Sequence, residues 1–486
     1  MNILLLSNSA PNYHHFFKAL VRLFESDGAS VAVAVDSRFS REENHLDDLH
    51  FAEIHNFDAW FVSHQIDLEI LAKYSDFNLN TMLLSDFERA QVYRIWGADV
   101  NPNYFDRLKS ALLTYFEHIF KRHSIDTVIY ENVSNSFAHF ALIVAQRQGA
   151  RYLGIGSSRL PARFAVTDNP LEDHAAKRAF EAICDGSLVP SSELRVWADT
   201  YIAQIENITP DYMKINGLDS LGLFRRYFKF RHLSKIWSLL RHAGDSRTDA
   251  FQIGNPLLTH IGLFRRNFGR RVRARRVRRF YRKSVEGERY LLYPLHFHPE
   301  SSTSILAASW LDEYEVIRNI AFNLPEGVRL YVKDHVSAWA YPSLDFYRRL
   351  CLLPNVRLLP PEAPTKRLIR GSVAVITLTS TVGYEALLLH RRVFLFGRVF
   401  YEFHKGVTLV EKPAHLHKLL QTKLDLPTDW DEAYNNDFVC ACHEATLPGT
   451  LNLMQGPEAA GQMAEQVYGQ LKSNGYLILS GTPFEK

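Results

Sequence analysis

The sequence predicts an α/β protein of two doubly wound, mainly parallel sheets that face one another across a cleft, with a helical, basic insert between them. Three observations lead there. The chain opens in the order strand, helix, glycine turn, strand, and a second such unit follows within the first 175 residues. The alternation stops between about residues 176 and 285 and resumes after 286. At 486 residues the chain also exceeds what one ordinary core holds. The expected organisation is an N-terminal domain over 1–175, an insert over 176–285, a C-terminal domain over 286–450 and a final helix and tail over 451–486.

The opening "NILLLSNSAPNYHHFFKALVRLFESDGASVAVAVDS" sets the pattern. Ile3–Leu6 and Val31–Val35 read as strands. Phe16, Phe17, Leu20, Leu23 and Phe24 form the apolar stripe of the helix between them, and Gly28 ends that helix. A strand, helix, strand order implies parallel pairing. The second unit places a strand at Thr127–Tyr130, a helix at Phe137–Gln146, and a further strand after Gly149. In the second half, "RYLLYPLHFHPESS", "VRLYVKDHVSAW", "NVRLLPP", "VAVITLTSTVG" and "RVFLFG" read as strands separated by helical patterns. No G-x-G-x-x-G follows the first strand and no G-x-x-x-x-G-K-[ST] occurs, which excludes the usual dinucleotide and P-loop sites.

A hydrophobic content of 47% against 22% charged residues is a globular balance. Cys184, Cys351, Cys440 and Cys442 are too few for a disulfide framework and fit a reducing cytoplasm. "CACH" at 440–443 matches no standard zinc spacing, so no metal site is expected. The start lacks a basic signal-peptide region and no stretch has the length of a membrane span, so a cytoplasmic location is expected. The net charge of +3 conceals eleven basic residues and no acidic one in "RRNFGRRVRARRVRRFYRK", residues 265–283. No nucleic-acid motif accompanies them, so nucleic acid is not the expected partner. In 223–243 aromatic and leucine residues mingle with cations, as in helices that lie on an anionic membrane surface, and both basic stretches are expected to dock there.

Chemistry is expected at strand ends. In an open parallel sheet, ligands sit where a strand turns into a helix, because free amides and the positive helix end point outward. "TLTSTVGYEALLLH" makes such a turn and carries Ser380, Thr381, Gly383 and Glu385. "LHFHPESSTS" carries His296, His298, Glu300 and Ser301, and "KDHVSAW" carries Lys333, Asp334 and His335. Lysine, histidine, hydroxyls and a helix start suit a phosphate, and Glu385 has the reach to accept from a ribose diol. Glu131, directly ending a strand, is a candidate general acid or base, with His14 and His15 at the first helix start as further candidates. Arg159 and Arg163 in "GSSRLPARFAVTDNP" suit anionic groups on donor or acceptor.

The order "YPLHFHPE", "LPEGVRLYVKDH", "NVRLLPP" and "LIRGSVAVITLTSTVGYEALLLHRRVFLFGRVFYE" resembles the bacterial capsule polysaccharide biosynthesis proteins. That group includes the β-Kdo transferases, Kdo being an eight-carbon acidic sugar. The likeness is good over roughly residues 288–403, weak in the first domain, and missing from 176–285. It implies a GT-B fold, two Rossmann-like domains facing across a cleft, and a glycosyltransferase that needs no metal or other cofactor. The C-terminal domain would hold a nucleotide sugar, often CMP-linked, with Lys333 and His335 near the phosphate or sugar carboxylate. Ser380, Thr381 and Gly383 would cradle the phosphate, Glu385 would hold the ribose, and the strand-end His298 and Glu300 lie in the same region. The acceptor would be a lipid-linked or oligosaccharide glycan, met at the inner face of the cytoplasmic membrane. Two alternatives stay open: a sugar-nucleotide epimerase or hydrolase on the same fold, and a non-catalytic glycan-binding scaffold.

Overall fold

The computed structural model describes residues 1–50, 52–93, 101, 103–208, 232–246 and 248–477. The part of the 223–243 segment before residue 232 lies outside them. The chain divides into two compact units. The first comprises Met1–Pro170, Phe224–Phe264 and Thr446–Lys486, and the second comprises Leu171–Leu223 and Arg265–Ala445. Residues of the 176–285 stretch thus fall in both units, and the C-terminal segment returns to the first.

The first unit is organised on β1 (Asn2–Ser7), β2 (Ser30–Val35), β3 (Glu53–Asn56), β4 (Thr127–Glu131), β5 (Arg151–Ser157) and β6 (Arg163–Thr167). A short β13 (Leu447–Pro448) completes the spatial order β13-β6-β5-β4-β1-β2-β3. β3, β2, β1, β4 and β5 run parallel, as the strand–helix alternation requires, whereas β6 and β13 are antiparallel additions at one edge. The central strands are apolar along their length because helices cover both faces. The helix Tyr13–Ser26 buries Phe16, Phe17, Leu20, Val21 and Phe24. On its outer side it takes the C-terminal helix Pro457–Ser473, where Tyr468 meets the Phe24 ring edge-on and Lys472 ion-pairs Asp27 at 2.5 Å.

The second unit carries β7 (Tyr290–Pro294), β8 (Arg329–Lys333), β9 (Val356–Leu359), β10 (Ala374–Thr377), β11 (Arg392–Leu395) and β12 (Val407–Leu409). Their spatial order is β12-β11-β10-β7-β8-β9, parallel throughout. The order reverses between β7 and β10, the topological switch point where such sheets bind ligands. Its core joins Leu291, Val332 and Ile376 from the strands with Ile317 and Ile320 from the helix Glu313–Phe322. Helices Ala175–Asp185 and Ser192–Ala203 pack in this unit against Glu432–Glu444. "CACH" lies within that last helix, with Cys440 and Cys442 both buried. No described helix is long and apolar enough to cross a membrane.

Ile317 is wholly buried in this core. Ile317→Ala is expected to cost about 2–5 kcal/mol through lost transfer energy and residual cavity. Urea unfolding followed by fluorescence measures it, and a cost below about 1 kcal/mol would mean that the core collapses around the site.

Candidate functional site

β10, β7 and β8 lie side by side, so their C-terminal ends open on one edge and bring the three polar loops together. A carboxylate that the sequence analysis did not single out ties them. Glu313, in the first turn of its helix, is buried and accepts from the backbone N–H of His296 at 2.7 Å, with His296 Nδ1 at 3.0 Å. On the other side of the ring, Nε2 lies 3.1 Å from Thr377 Oγ1 at the end of β10. Burial works against the Glu313 charge, but the His296 hydrogen bonds and nearby imidazoles outweigh it and hold the carboxyl below its usual value. His298 Nε2 stands 3.9 Å from the same carboxylate. Glu300 is exposed and caps the short helix Ser301–Ser304, its carbonyl accepting from Ser304 N–H at 2.9 Å.

His335 follows β8 and is partly buried, with Lys333, His296 and Arg270 near it. Burial first, then the Lys333 charge, pushes its imidazole down to about 4. Its Nδ1 accepts the Ser337 N–H at 3.1 Å. A neutral ring with Nδ1 so occupied must carry its proton on Nε2, where it can only donate. Lys333 turns inward: Nζ donates to the carbonyls of Asp334 at 3.1 Å and Pro361 at 3.0 Å, and burial lowers it to about 8. Two of its three protons are therefore used in closing the loop. Asp334 accepts from Tyr281 Oη at 2.5 Å and is raised by burial to about 6.

Ser380 caps the helix Thr381–Leu388, its Oγ accepting from Val382 N–H at 3.2 Å. Thr381 is the first helical residue and partly exposed. Gly383 has a packing role. A Cβ there would collide with Tyr401 Oη, which reaches across to donate to the Ser380 carbonyl at 2.6 Å. Glu385 is nearly buried and ion-paired with Lys366, so a ribose contact through it would compete with that pair.

The arginine stretch is in large part the helix Pro256–Val277, and several of its side chains are fastened to this site. Arg266 Nη2 donates to the His298 carbonyl at 3.0 Å, and Arg270 Nε to the Trp339 carbonyl at 2.8 Å. Arg273 holds the carbonyls of Ala340 and Tyr341, and Arg266 and Arg270 both lie over the Tyr341 ring. The loop after β8 is thus held by guanidinium groups. Leu258, Ile261, Phe264, Phe268 and Val272 of the same helix are exposed at a helical spacing, with Arg265, Arg275 and Arg276 also exposed.

In the first unit the polar edge lies at the ends of β2, β3 and β4. Glu131 ends β4 as the sequence suggests. Burial raises its carboxyl to about 7, opposed by the Ser134 hydroxyl that donates at 2.5 Å, by the Arg89 charge and by Tyr13. His14, next in sequence to Tyr13, has its Nδ1 buried without a hydrogen-bond partner among the described residues and its ring lowered to about 4 by burial and by His15. The His14 and His15 rings are 4.0 Å apart. Around Glu131 the structure adds groups that were not singled out. Asp36, directly after β2, is wholly buried, and the Ser40 and Ser37 hydroxyls beside it only partly oppose the effect of that burial on its carboxyl. Asp86 accepts from Ser136 N–H at 2.7 Å, with Gln252 Nε2 at 3.4 Å. Buried oxygens of Asn56, Ser85, Tyr130, Ser136 and Gln252 lack a hydrogen-bond partner among the described residues. Arg163 is used by the fold, its Nε donating to Thr446 Oγ1 at 2.8 Å beside the β6–β13 pairing. Arg159 is partly buried in the loop after β5.

Residues 247–428 match the family model described as "Capsule polysaccharide biosynthesis protein". The matched segment is under half of the chain. It contains the whole edge formed by β7, β8 and β10. No curated protein sequence matches the chain. Among solved structures, the chain is similar to the β-Kdo 2,4 transferase of KpsC from Thermosulfurimonas dismutans, at 14% identity over 65% of this chain and 79% of that one, with a TM-score of 0.34. The KpsC β-Kdo 2,7 transferase from the same organism matches at 10% identity, over 68% and 80% of the two chains, with a TM-score of 0.31. UDP-GlcNAc 2-epimerase from Methanocaldococcus jannaschii matches at 11% identity, over 96% and 100%, with a TM-score of 0.26.

Asp36 generates a pH prediction. Burial raises its carboxyl from 3.8 to about 7. Between those values the native chain holds a proton that the unfolded chain releases, so stability falls as pH rises through this window, by roughly 4 kcal/mol at most. Asp36→Asn removes the slope. Urea midpoints at pH 5 and pH 8 should show the variant gaining on the wild type at pH 8, and an equal offset at both would show that Asp36 titrates normally.

Proposed function

We propose that the chain is a glycosyltransferase of surface-polysaccharide assembly that binds a nucleotide sugar at the C-terminal edge of β7, β8 and β10. The observation that carries this is that the family match and the polar edge coincide. The edge offers donors suited to an anionic donor substrate: the Nε2–H of neutral His335, the hydroxyl of Thr381 and the Ser380-capped helix start. A CMP-linked acidic sugar such as Kdo is the donor that the family likeness suggests. His298 and Glu300 border the same edge, and the remaining Lys333 proton is available to a phosphate oxygen.

The acceptor side is assigned to the first unit. Its edge is rich in buried acceptors, Asp36, Asn56 and Gln252 among them, and acceptors suit the hydroxyls of a glycan. Glu131 is the general base. It takes the proton of the acceptor hydroxyl, whose oxygen bonds to the anomeric carbon while the bond to the phosphate oxygen breaks and its electron pair leaves with the nucleotide. A carboxyl poised near 7 is matched to that task. His14 and His15, at the start of the helix Tyr13–Ser26, are further candidates on this side, and Arg159 in the loop after β5 would meet an anionic acceptor group. The exposed apolar stripe and exposed arginines of the helix Pro256–Val277, with Ile236, Trp237 and Leu240 nearby in sequence, support docking on an anionic membrane surface where a lipid-linked acceptor resides.

Thermal-shift measurement against CMP-, UDP-, GDP- and dTDP-sugars, followed by turnover with and without a glycan acceptor, tests the proposal. Turnover without acceptor would make the protein a hydrolase or epimerase, and binding without turnover a scaffold. Ser380→Ala with Thr381→Ala should weaken donor binding about tenfold through lost hydrogen bonds worth about 0.5–1.5 kcal/mol each, in a protein that stays folded because a lost cap costs only about 1 kcal/mol of stability. Unchanged affinity would remove this helix start from the site. Glu131→Gln should reduce turnover by about 10²–10⁴ with donor affinity intact. Because the base must be ionised, wild-type kcat/KM should fall as pH drops below about 7. A fully active Gln variant would exclude Glu131.

A further inference from the structure

At the edge of the first sheet, Glu53, His55 and His123 present ligand atoms to one another. Glu53 and His55 belong to β3, two residues apart and so on one face of the strand. His123 closes the last turn of the helix Tyr104–His123, which lies along that strand. The two imidazole Nε2 atoms are 2.9 Å apart. His55 Nε2 is 3.7 Å from Glu53 Oε1, and His123 Nε2 is 3.7 Å from Glu53 Oε2. A tetrahedral zinc ion with bonds of about 2.0–2.1 Å holds its ligand atoms about 3.3–3.4 Å apart. The imidazole separation falls just below that value and each imidazole's distance to its own carboxylate oxygen just above it, and with one ligand atom from each residue all three lie within 4.8 Å of one another.

From this geometry we infer that Glu53, His55 and His123 form a binding site for a divalent transition metal of the zinc class. Two imidazole nitrogens and one carboxylate suit Zn2+, Co2+ or Ni2+ over Mg2+ or Ca2+, which prefer oxygen. The carboxylate is already aimed, because Arg122 Nη2 lies 3.0 Å from Glu53 Oε1 and its Nε donates to Oε2 at 3.3 Å. Glu53 is exposed and both imidazoles are only partly buried, so the ion can enter from solvent and a water can take the fourth position. The consequence is mechanical. β3 is a four-residue strand paired on one side only, and an ion shared with His123 fastens it to the helix. Tyr115 Oη, which donates to the His55 carbonyl at 2.6 Å, makes the same connection about two turns earlier in the helix. The site shares β3 with Asn56 of the proposed acceptor edge, but its test reads metal binding and does not depend on that activity.

The experiment uses the full chain without an affinity tag, stripped with chelator and titrated calorimetrically with ZnCl2, with Co2+ as a spectroscopic substitute. One Zn2+ per chain should bind with the Tm rising on saturation, and Co2+ should give the visible bands of a tetrahedral site. His55→Gln and His123→Gln, which keep a hydrogen-bonding side chain of similar reach, should each weaken Zn2+ at least tenfold while circular dichroism stays that of the wild type. Glu53→Gln should weaken it less and leave the fold unchanged. If both histidine variants fold and bind Zn2+ as the wild type does, or if the wild type neither binds Zn2+ nor gains Tm, the two imidazoles merely share a proton and the inference is wrong.

Discussion

The buried carboxylate of Glu313 is the constraint on which the candidate donor edge depends. A charge taken out of water costs several kcal/mol unless hydrogen bonds replace its hydration. Here the loop after β7 supplies them, through His296 N–H and the His296 ring. Because that ring also meets Thr377, satisfying Glu313 sets the path of one loop and its distance from the next strand end. Ser380 N–H then bonds Thr377 Oγ1 at 3.2 Å, so the start of the following helix inherits the same registration. One buried charge thereby positions groups drawn from three places in the chain.

The loop after β8 is ordered differently, from outside. Its carbonyls at Trp339, Ala340 and Tyr341 face the helix Pro256–Val277 and accept from Arg270 and Arg273. Guanidinium groups suit this task because each offers several donors in a rigid plane and can also lie over an aromatic face. The dense run of cations is accordingly divided in purpose. Some side chains build the loop that carries His335, and others, with the exposed apolar stripe, remain at the surface. Lys333 follows the same logic on a smaller scale, spending most of its donor capacity on backbone carbonyls.

The two units present edges of opposite character. The edge of β7, β8 and β10 offers N–H and O–H groups, as an anionic ligand requires. The edge around Asp36 and Glu131 offers oxygens, as a hydroxylated ligand requires. Both carboxyls there are raised to about 7 chiefly by burial, which is the usual physical route to a group that exchanges protons near neutrality.

What the sequence determined by itself was the alternation of elements and the polar character of the strand ends. Strands such as Val31–Val35 and Ala374–Thr377 are legible because an apolar β-branched run bounded by glycine or polar residues has few other stable states. Glu131 and the serine-capped helix start were legible for a similar local reason. Asp36 carries the same strand-end signal as Glu131, and its significance emerges only from the company of Asp86 and Gln252, the latter more than 200 positions away. Glu313 reads locally as an ordinary helix-start acid, its partner His296 being brought to it by the turn of the chain. Gly383 reads as a ligand-approach glycine, yet Tyr401 occupies its open side. The division of the arginines and the meeting of His55 with His123 were likewise decided by tertiary structure. Sequence pattern reports which face of an element is apolar, while the partners of a polar side chain depend on distances that only the packed chain sets.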